Sequence, residues 1–431
     1  MFQTAMLTEG CRLHVLPTRK FKTVTCKVFI QHQLGSEATE TALVPQIIAR
    51  GSRRLPTMQH IASHLADLYG ARFGAGVLKL GEYQLIDYYF EIADGSYLGQ
   101  NGEKLLRQGM DALAELITQP RVEGSGFYKP FVEQEVSNLR NQIRSIIDNK
   151  RSYALKRFIE IMFEGEPFAI YKYGRLEGLD TVSDSELLTH YRSLLAQNPI
   201  EIFVVGNIDH GALHRQWQNA IGELRNGFRP LSIDARSHTP KELKTVVEQE
   251  QLRQGILFLG YRVPITYSSP DYYKLLVYSG VLGGFPHAKL FRNVREKASL
   301  AYYVFARVDG NKGFLMINAG IPPSRYNEAL EIILQEVDAL DAGSVTSWEL
   351  EQTKRGLVNS FLTMEDSAIS IIDRGIVEAT QDVRRKAEDV IEAIKAVTVE
   401  DLVEIGEQLQ LDTIYFLQGE EGENAFQGGM D

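Results

Sequence analysis

The pattern of hydrophobic and polar positions predicts both strands and helices along the whole chain. In the first 33 residues it indicates two strands, at 12–16 and 23–30, because apolar side chains recur there with strand spacing. Two further strands are predicted within 77–93, and one at 200–206. Apolar positions with helical spacing predict helices at 39–49, 58–69, 102–118, 131–147, 154–163 and 185–195.

The second half of the chain repeats this order of elements. The pattern predicts strands at 254–261, within 302–319 and at 413–417, and helices at 272–282, 326–340 and 348–362. The repeat distance of about 215 residues is too long for a solenoid and indicates a duplicated domain. We therefore predict an α+β fold of two homologous, sandwich-like domains, at 1–228 and 246–431, each with an antiparallel-dominated sheet and helices. A linker at 229–245 joins them.

Composition narrows the possible functions. The 431 residues carry a formal net charge of −10 and 44% hydrophobic residues, as an ordinary globular protein does. With no long basic run, neither nucleic acid nor an anionic membrane surface is an expected partner. The two cysteines, Cys11 and Cys26, are too few for a disulfide framework or a cysteine metal site, which favours a cytoplasmic location. No membrane-spanning run or signal peptide is visible in the sequence.

Residues 282–303 are the stretch whose side chains most clearly suit binding or catalysis. We predict a tight turn at Gly283 and Gly284, then a helix with an apolar stripe, then a strand. The stripe consists of Leu290, Phe291 and Val294. Arg295 lies near the end of this helix and Tyr302 at the start of the strand, so both could donate hydrogen bonds to one carbonyl or oxyanion. The alternative is a purely structural junction, with the arginine over a core edge and the tyrosine half-buried.

This segment resembles the corresponding one of the insulinase- and pitrilysin-like zinc peptidases. Those proteins have a glycine turn, a helix ending in Arg-Glu-Lys, and then Leu-Ala-Tyr; here Arg295, Leu300 and Tyr302 stand at the matching positions. The resemblance implies that Arg295 and Tyr302 bind the substrate peptide and its reacting carbonyl, within a substrate-binding segment that includes Gly283 and Gly284. It also implies two similar domains that face each other like a clam shell around the peptide.

The zinc-binding motif of active members is absent. They carry His-x-x-Glu-His on the first long helix of the first domain, where two histidines bind zinc and the glutamate activates water. The corresponding helix here has Ala42 and Gln46 at the histidine positions and Pro45 at the glutamate position. Asn141 and Gln142 replace a glutamate pair on a later helix, and amides are much weaker zinc ligands than carboxylates. We therefore expect no metal in this chain.

Two histidine pairs could imitate a metal site. His60 and His64 are spaced i, i+4 on a predicted helix, with Asp67 one turn further on. His210 and His214 have the same spacing after Asp209, a candidate N-cap. Either pair could equally belong to a solvated helix surface.

Three functions follow from these observations. The first is a non-catalytic subunit of a heteromeric zinc peptidase, which holds peptide and supplies Arg295 and Tyr302 to the zinc site of a partner subunit that carries His-x-x-Glu-His. The second is a stand-alone pseudo-peptidase that binds peptides or acts as a scaffold. The third is an independent metallopeptidase that uses His60 and His64.

Overall fold

The computed structural model describes residues 2–231 and 242–419, except for the side chains of residues 99–101 and 103. Its strands are β1 Gln3–Thr8, β2 Cys11–Pro17, β3 Thr23–Gln33, β4 Arg72–Leu80, β5 Tyr83–Ala93, β6 Val122–Glu123, β7 Gly126–Phe127, β8 Ile200–Gly206, β9 Lys244–Glu250, β10 Gly255–Arg262, β11 Tyr303–Asp309, β12 Phe314–Ile321 and β13 Gln410–Gly419. Its α-helices are α1 Ala38–Ile48, α2 Met58–Asp67, α3 Gly102–Thr118, α4 Lys129–Arg144, α5 Lys150–Met162, α6 Asp184–Gln197, α7 His210–Ile221, α8 Tyr272–Ser279, α9 Tyr326–Asp341, α10 Ser347–Met364, α11 Ala368–Thr380, α12 Ala387–Ala396 and α13 Val399–Gly406.

The first sheet has the strand order β1-β2-β8-β3-β5-β4. All its neighbouring strands are antiparallel except β2 and β8, which are parallel. Helix α1 packs against β4, β5, α4 and α6, and most of its side chains are buried. One hydrophobic core joins this sheet to α1, α3, α6 and α7. Strand β4 lies at the edge of the sheet, so the outer side of its backbone has no strand partner in the part of the chain that the structure describes.

The second sheet has the order β11-β12-β10-β13-β9, with one parallel pair, β13 and β9. Its core includes residues of α8, α9, α12 and α13. Strands β9-β13-β10-β12-β11 pair with the same neighbours and directions as β2-β8-β3-β5-β4 do in the first sheet. The α+β class and the duplicated, antiparallel-dominated domains predicted from the sequence are therefore confirmed, and β11 is the counterpart of the edge strand β4.

The chain forms two compact units, and each includes a segment from the other half of the sequence. The first unit comprises Met1–Ser145, Glu166–Asp234 and Leu362–Arg384, and the second comprises Ile146–Gly165, Ala235–Phe361 and Arg385–Asp431. Helix α11 thus packs on β8 and β3 of the first unit, whereas α5 packs on β13 and β10 of the second. The predicted boundaries at 228 and 246 did not include this exchange of helices.

Apolar contacts and charge hold the exchanged helices. In the first unit, Gly375 of α11 lies against the ring of Phe203, and Asp373 accepts a 2.9 Å hydrogen bond from the Lys27 Nζ atom. In the second unit, the rings of Phe158 on α5 and Phe258 on β10 are stacked with centroids 4.9 Å apart. Because α11 and α5 each bury apolar side chains in the core of a unit, each helix helps to stabilise the unit that it joins.

The structure differs from the sequence prediction in two edge strands. Residues 2–33 contain three strands rather than two, because β1 pairs with β2. Strand β9 begins at Lys244, inside the predicted linker 229–245, of which residues 232–241 lie outside the described residues. Both strands lie at sheet edges and consist mostly of exposed or half-buried residues, so their sequences lack the continuous apolar signal of a buried strand. None of the described helices is long and apolar enough to cross a membrane.

Candidate functional site

The two glycines of the predicted turn lie in a helix instead. Helix α8 continues into a π-helical segment, Gly280–Gly284, which ends at the extended residue Phe285. Neither Gly283 nor Gly284 has a positive φ. The turn follows them, where the Ala288 N–H donates to the Phe285 carbonyl at 3.0 Å. The prediction that these glycines form the tight turn is therefore wrong.

Close packing explains why position 283 is a glycine. Gly283 is buried, and a Cβ there would lie 2.5 Å from the backbone nitrogen of Ala306 on β11. Such a contact is shorter than van der Waals packing permits, so the helix could not lie this close to the strand with any side chain at 283. Gly284 is exposed, and the nearest atom to its Cβ would be the Ser279 carbonyl oxygen at 3.5 Å.

Arg295 lies on a second π-helical segment, Phe291–Lys297. Two residues of the predicted apolar stripe, Leu290 and Val294, are fully buried, and Phe291 is half-buried. The Arg295 side chain is exposed, and its guanidinium lies 4.6 Å from the centroid of the Phe291 ring. π-Helical segments occur frequently at functional sites because they redirect side chains within a helix.

A left-handed residue connects this helix to the strand that follows. Ser299 has φ +52°, a conformation that non-glycine residues seldom adopt. The Leu300 N–H returns a hydrogen bond to the Val294 carbonyl at 3.0 Å. The connection between Arg295 and Tyr302 is thus short and fixed by its backbone.

Tyr302 is held by its backbone while its side chain is exposed to solvent. Its N–H donates to the Gly320 carbonyl at 2.9 Å, and its side chain is 74% exposed. Among the described residues its hydroxyl has no hydrogen-bond partner, and it makes no contact with the Arg295 guanidinium. The next residue, Tyr303, differs: its ring packs on Gly320 and lies 4.0 Å from the Arg151 guanidinium. The joint hydrogen bonding of Arg295 and Tyr302 to one substrate oxygen stays a prediction.

In the first unit, the helix that would carry the zinc motif contributes to the core. Ala42 and Pro45 on α1 are buried, Gln46 is half-buried, and Asn141 and Gln142 on α4 are exposed. None of these side chains is a carboxylate, imidazole or thiolate, the groups that bind zinc. No group of three or more His, Cys, Asp or Glu side chains in 2–231 or 242–419 is arranged to hold a metal ion.

An ion pair connects the two helices on which active members hold zinc. Arg50, just after α1, pairs with the buried carboxylate of Glu135 on α4. Asn138 donates a 3.2 Å hydrogen bond to the second oxygen of that carboxylate. Because Glu135 is buried, removing Arg50 would leave an uncompensated charge. The Arg50–Glu135 ion pair therefore helps to hold α1 and α4 together.

The histidine pairs have structural neighbours. The His60 Nδ1 atom lies 2.7 Å from the hydroxyl of Thr57, the N-cap of α2. The rings of His210 and His214 are stacked, with centroids 6.3 Å apart. Asp209 accepts the Ala212 N–H at 2.7 Å, so its predicted role as N-cap of α7 is confirmed.

The fold brings together a third histidine pair, which could not be recognised from the sequence. His32 on β3 and His190 on α6 are half-buried with ring centroids 5.6 Å apart, and both lie within 4 Å of the Glu37 carboxylate. The His190 Nε2 atom lies 2.8 Å from the Thr41 hydroxyl. No local motif reveals this cluster, because His190 lies far along the sequence from His32, Glu37 and Thr41.

This cluster predicts a loss of stability in mild acid. Burial, reinforced by the neighbouring His190, lowers the pKa of His32 to about 4, although Glu37 opposes the shift. Burial also lowers the pKa of His190, against Glu37 and Glu40. Between the ordinary histidine pKa of about 6.5 and about 4, the unfolded chain binds protons that the folded chain does not. The free energy of unfolding should therefore have its full value above pH 6.5. It should be lower by on the order of 1 kcal/mol at pH 5.

Urea unfolding of the wild type and of His32→Gln at pH 7.5 and pH 5 measures this effect. The variant should lose part of the pH dependence, whereas the exposed-histidine control His60→Gln should retain all of it. Equal pH dependence in His32→Gln and wild type would contradict the assignment.

Comparisons with known proteins identify the family. A model described as "Peptidase M16 inactive domain" matches residues 181–357, which include Arg295 and Tyr302. The probable inactive metalloprotease YmfF of Bacillus subtilis is 35% identical over 417 residues, 96% of this chain and 97% of that protein. The chain belongs to the M16 peptidase family. An uncharacterized zinc protease of Streptomyces coelicolor, SCO5738, is 23% identical over 84% of this chain and 76% of its own length.

Solved structures share the fold over nearly the whole length of this M16 chain. A conserved protein of Enterococcus faecalis superposes with a TM-score of 0.91 and 29% identity, over 98% of this chain and 100% of its own. A protease of Helicobacter pylori has the same fold, with a TM-score of 0.81 and 15% identity, over 97% of this chain and 99% of its own. This chain is therefore an M16 homologue that lacks the His-x-x-Glu-His zinc-binding motif, as the resemblance implied.

Proposed function

We propose that this chain is the non-catalytic subunit of a heteromeric zinc peptidase. It would hold a peptide substrate and supply Arg295 and Tyr302 to the zinc site of a partner M16 subunit. The observation that supports this most is the contrast within the chain. The zinc-motif positions carry Ala42, Pro45 and Gln46, whereas the Tyr302 hydroxyl is exposed without a hydrogen-bond partner in the described residues.

The chemistry of the exposed pair suits an assisting role. A tyrosine hydroxyl can donate a hydrogen bond to the negative oxygen that develops when water attacks a peptide carbonyl. Arg295 can donate to a backbone carbonyl or to a carboxylate of the same peptide. The zinc and the general base that activate water would belong to the partner, because this chain has Pro45 at the base position.

The free edge of the first sheet supports peptide binding. Strand β4 is at the edge of its sheet and contains Gly74 and Gly76, and no atom lies within 4 Å of a Cβ built on Gly76. A peptide could add to this edge as a further strand, with main-chain hydrogen bonds that do not depend on its sequence. We propose β4 as the peptide-binding edge of the first unit.

The same edge favours a second candidate, a stand-alone pseudo-peptidase that binds peptides or acts as a scaffold. That function needs β4 but neither Tyr302 nor a partner peptidase. The third candidate, an independent metallopeptidase that uses His60 and His64, has weaker support, because the His60 Nδ1 atom is within hydrogen-bonding distance of the Thr57 hydroxyl.

Reconstitution tests the proposed function. Isolation of the chain from its native cell, together with the proteins bound to it, would first identify the partner. The purified chain would then be mixed with an M16 protein of that cell that carries His-x-x-Glu-His. We expect no peptide hydrolysis by the isolated chain, and chelator-sensitive hydrolysis by the mixture well above that of the partner alone. A His60→Ala/His64→Ala double variant should support the same activity. Hydrolysis by the pure, metal-containing chain alone would contradict the proposal.

We also propose that the complex acts in the cytoplasm. Cys11 and Cys26 are both buried as free thiols, and burial raises the pKa of each well above the ordinary thiol value. Such thiols are unreactive, and free thiols without disulfides are typical of proteins in a reducing compartment. Fractionation of the native cell would test this location.

A further inference from the structure

The first unit contains a cleft that the proposed peptidase role does not use. It has a volume of about 1040 Å³ and lies between the loop after α1, the end of α3, one face of α6 and the turn after α7. This size is at the upper limit of pockets that hold drug-sized ligands. Apolar side chains line much of it: Pro56, Pro120, Val122, Leu188, Leu195 and Leu224. Val122 and Leu224 are 44% and 37% exposed.

One wall of the cleft is rigid. The hydroxyl of Ser52 donates to the buried Glu115 carboxylate at 2.7 Å, and Arg54 pairs with the same carboxylate. Arg121 donates to the Pro56 carbonyl at 2.6 Å, and its guanidinium lies 3.7 Å from the ring centroid of Tyr128. These contacts neutralise Glu115 and fix Arg121, so the wall is formed before any ligand arrives.

Two further arginines at the cleft have no partner among residues 2–231 and 242–419. Arg53 and Arg192 are exposed, and neither side chain makes an ion pair or a hydrogen bond within the described part of the chain. The one acidic residue that lines the cleft, Glu223, pairs with neither of them. In a chain whose net charge is −10, this is a local excess of positive charge beside an apolar surface.

We propose that this cleft binds the C-terminal carboxylate of a peptide whose last side chain is apolar. A guanidinium presents two parallel N–H donors that match the two oxygens of a carboxylate. Arg53 and Arg192 would hold the carboxylate, while the exposed Val122 and Leu224 would cover the side chain. An inorganic anion would leave these apolar walls uncovered, so charge and surface together select an anion with an apolar group attached.

This inference rests on the proposed peptide-binding function and adds a site that recognises the end of the peptide. It does not require the partner subunit. The first probe is a fluorescein-labelled pentapeptide of glycine and serine that ends in leucine with a free carboxylate, and the second is the same peptide as its C-terminal amide. Fluorescence anisotropy with the full chain measures both.

We expect the free carboxylate to bind roughly tenfold or more tightly than the amide, as a charge-assisted hydrogen bond does. The Arg53→Gln/Arg192→Gln double variant should remove this difference. Both arginines are exposed and unpaired, so the variant should remain folded, which its thermal unfolding would verify. The matched control Arg144→Gln changes an exposed arginine at the end of α4, outside the cleft, and should bind as the wild type does.

Two outcomes would overturn the inference: equal affinity for acid and amide, or a double variant that still prefers the acid. Failure of the proposed partner role is a separate result. In that case mixing with a zinc-bearing M16 protein produces no activity, while the isolated chain still binds the free carboxylate through Arg53 and Arg192.

Discussion

Replacing Tyr302 with phenylalanine should lower kcat of the mixed complex roughly 10²-fold, the usual effect of removing one oxyanion donor. The hydroxyl is exposed and has no hydrogen-bond partner in the described residues, so its loss should change the free energy of unfolding by less than about 0.5 kcal/mol. An effect on rate without an effect on stability would separate a chemical role from a structural one. Steady-state kinetics and thermal unfolding of Tyr302→Phe measure the two.

Loss of the Tyr302 hydroxyl should also affect kcat and KM differently. If the hydroxyl binds only the developing oxyanion, kcat and kcat/KM fall together and KM stays close to the wild-type value. If it binds the substrate carbonyl equally well before reaction, KM rises and kcat is unchanged. Only the first result supports the assignment to the transition state.

The adjacent tyrosine provides a matched control. Tyr303→Phe removes the same atom one residue later, from a ring held between Gly320 and Arg151. This variant should retain the kcat of the mixed complex. Full activity in Tyr302→Phe, or an equal loss in both variants, would show that the assigned role of Tyr302 is wrong.

Local pattern predicted most of the fold, because periodicity reports which side of an element is buried. Helix α3 has the predicted bounds, Gly102–Thr118, and its apolar residues form part of the core. The repeated order of elements predicted the shared topology of the two sheets, because the duplicated strands keep the same neighbours. Polar edge strands such as β9 were missed, since half of their surface faces solvent and their sequence resembles a loop.

Contacts between distant residues could not be predicted from one sequence. Helix α11 is amphipathic wherever it packs, so its pattern cannot show that it completes the first unit rather than the second. Likewise, neither His32 nor His190 belongs to a motif, and only the packing of β3 beside α6 brings the two rings together. Periodicity specifies the faces of elements, whereas tertiary packing specifies which faces meet.

The role of the candidate site stays a prediction, although its two residues could be named from the sequence. Spacing and residue type identified Arg295 and Tyr302, and the structure has both side chains exposed. The role of Gly283 was misassigned, because a glycine needed for close packing looks the same in a sequence as a glycine needed for a turn. Only the distance to Ala306 distinguishes the two.

Replacing Gly283 with alanine should destabilise the second unit by roughly 2–3 kcal/mol, the upper part of the range for overpacked cores. The added Cβ would lie 2.5 Å from the backbone nitrogen of Ala306 and 2.9 Å from its Cβ, and neither atom can move without displacing β11. The melting temperature should fall by about 5 °C or more. Because Tyr302 directly precedes β11, the activity of the mixed complex should fall with it.

Gly284→Ala is the matched control, and it separates a packing role from a substrate-binding role for this glycine pair. Position 284 is exposed and has a negative φ, so alanine should be neutral or stabilise the chain by up to about 1 kcal/mol, because glycine loses more backbone entropy on folding. If Gly283 acted only by contacting peptide, Gly283→Ala would raise KM and leave the melting temperature unchanged. A lower melting temperature for Gly283→Ala alone would instead mean that this glycine acts by letting the helix lie against β11, and so determines where Tyr302 stands.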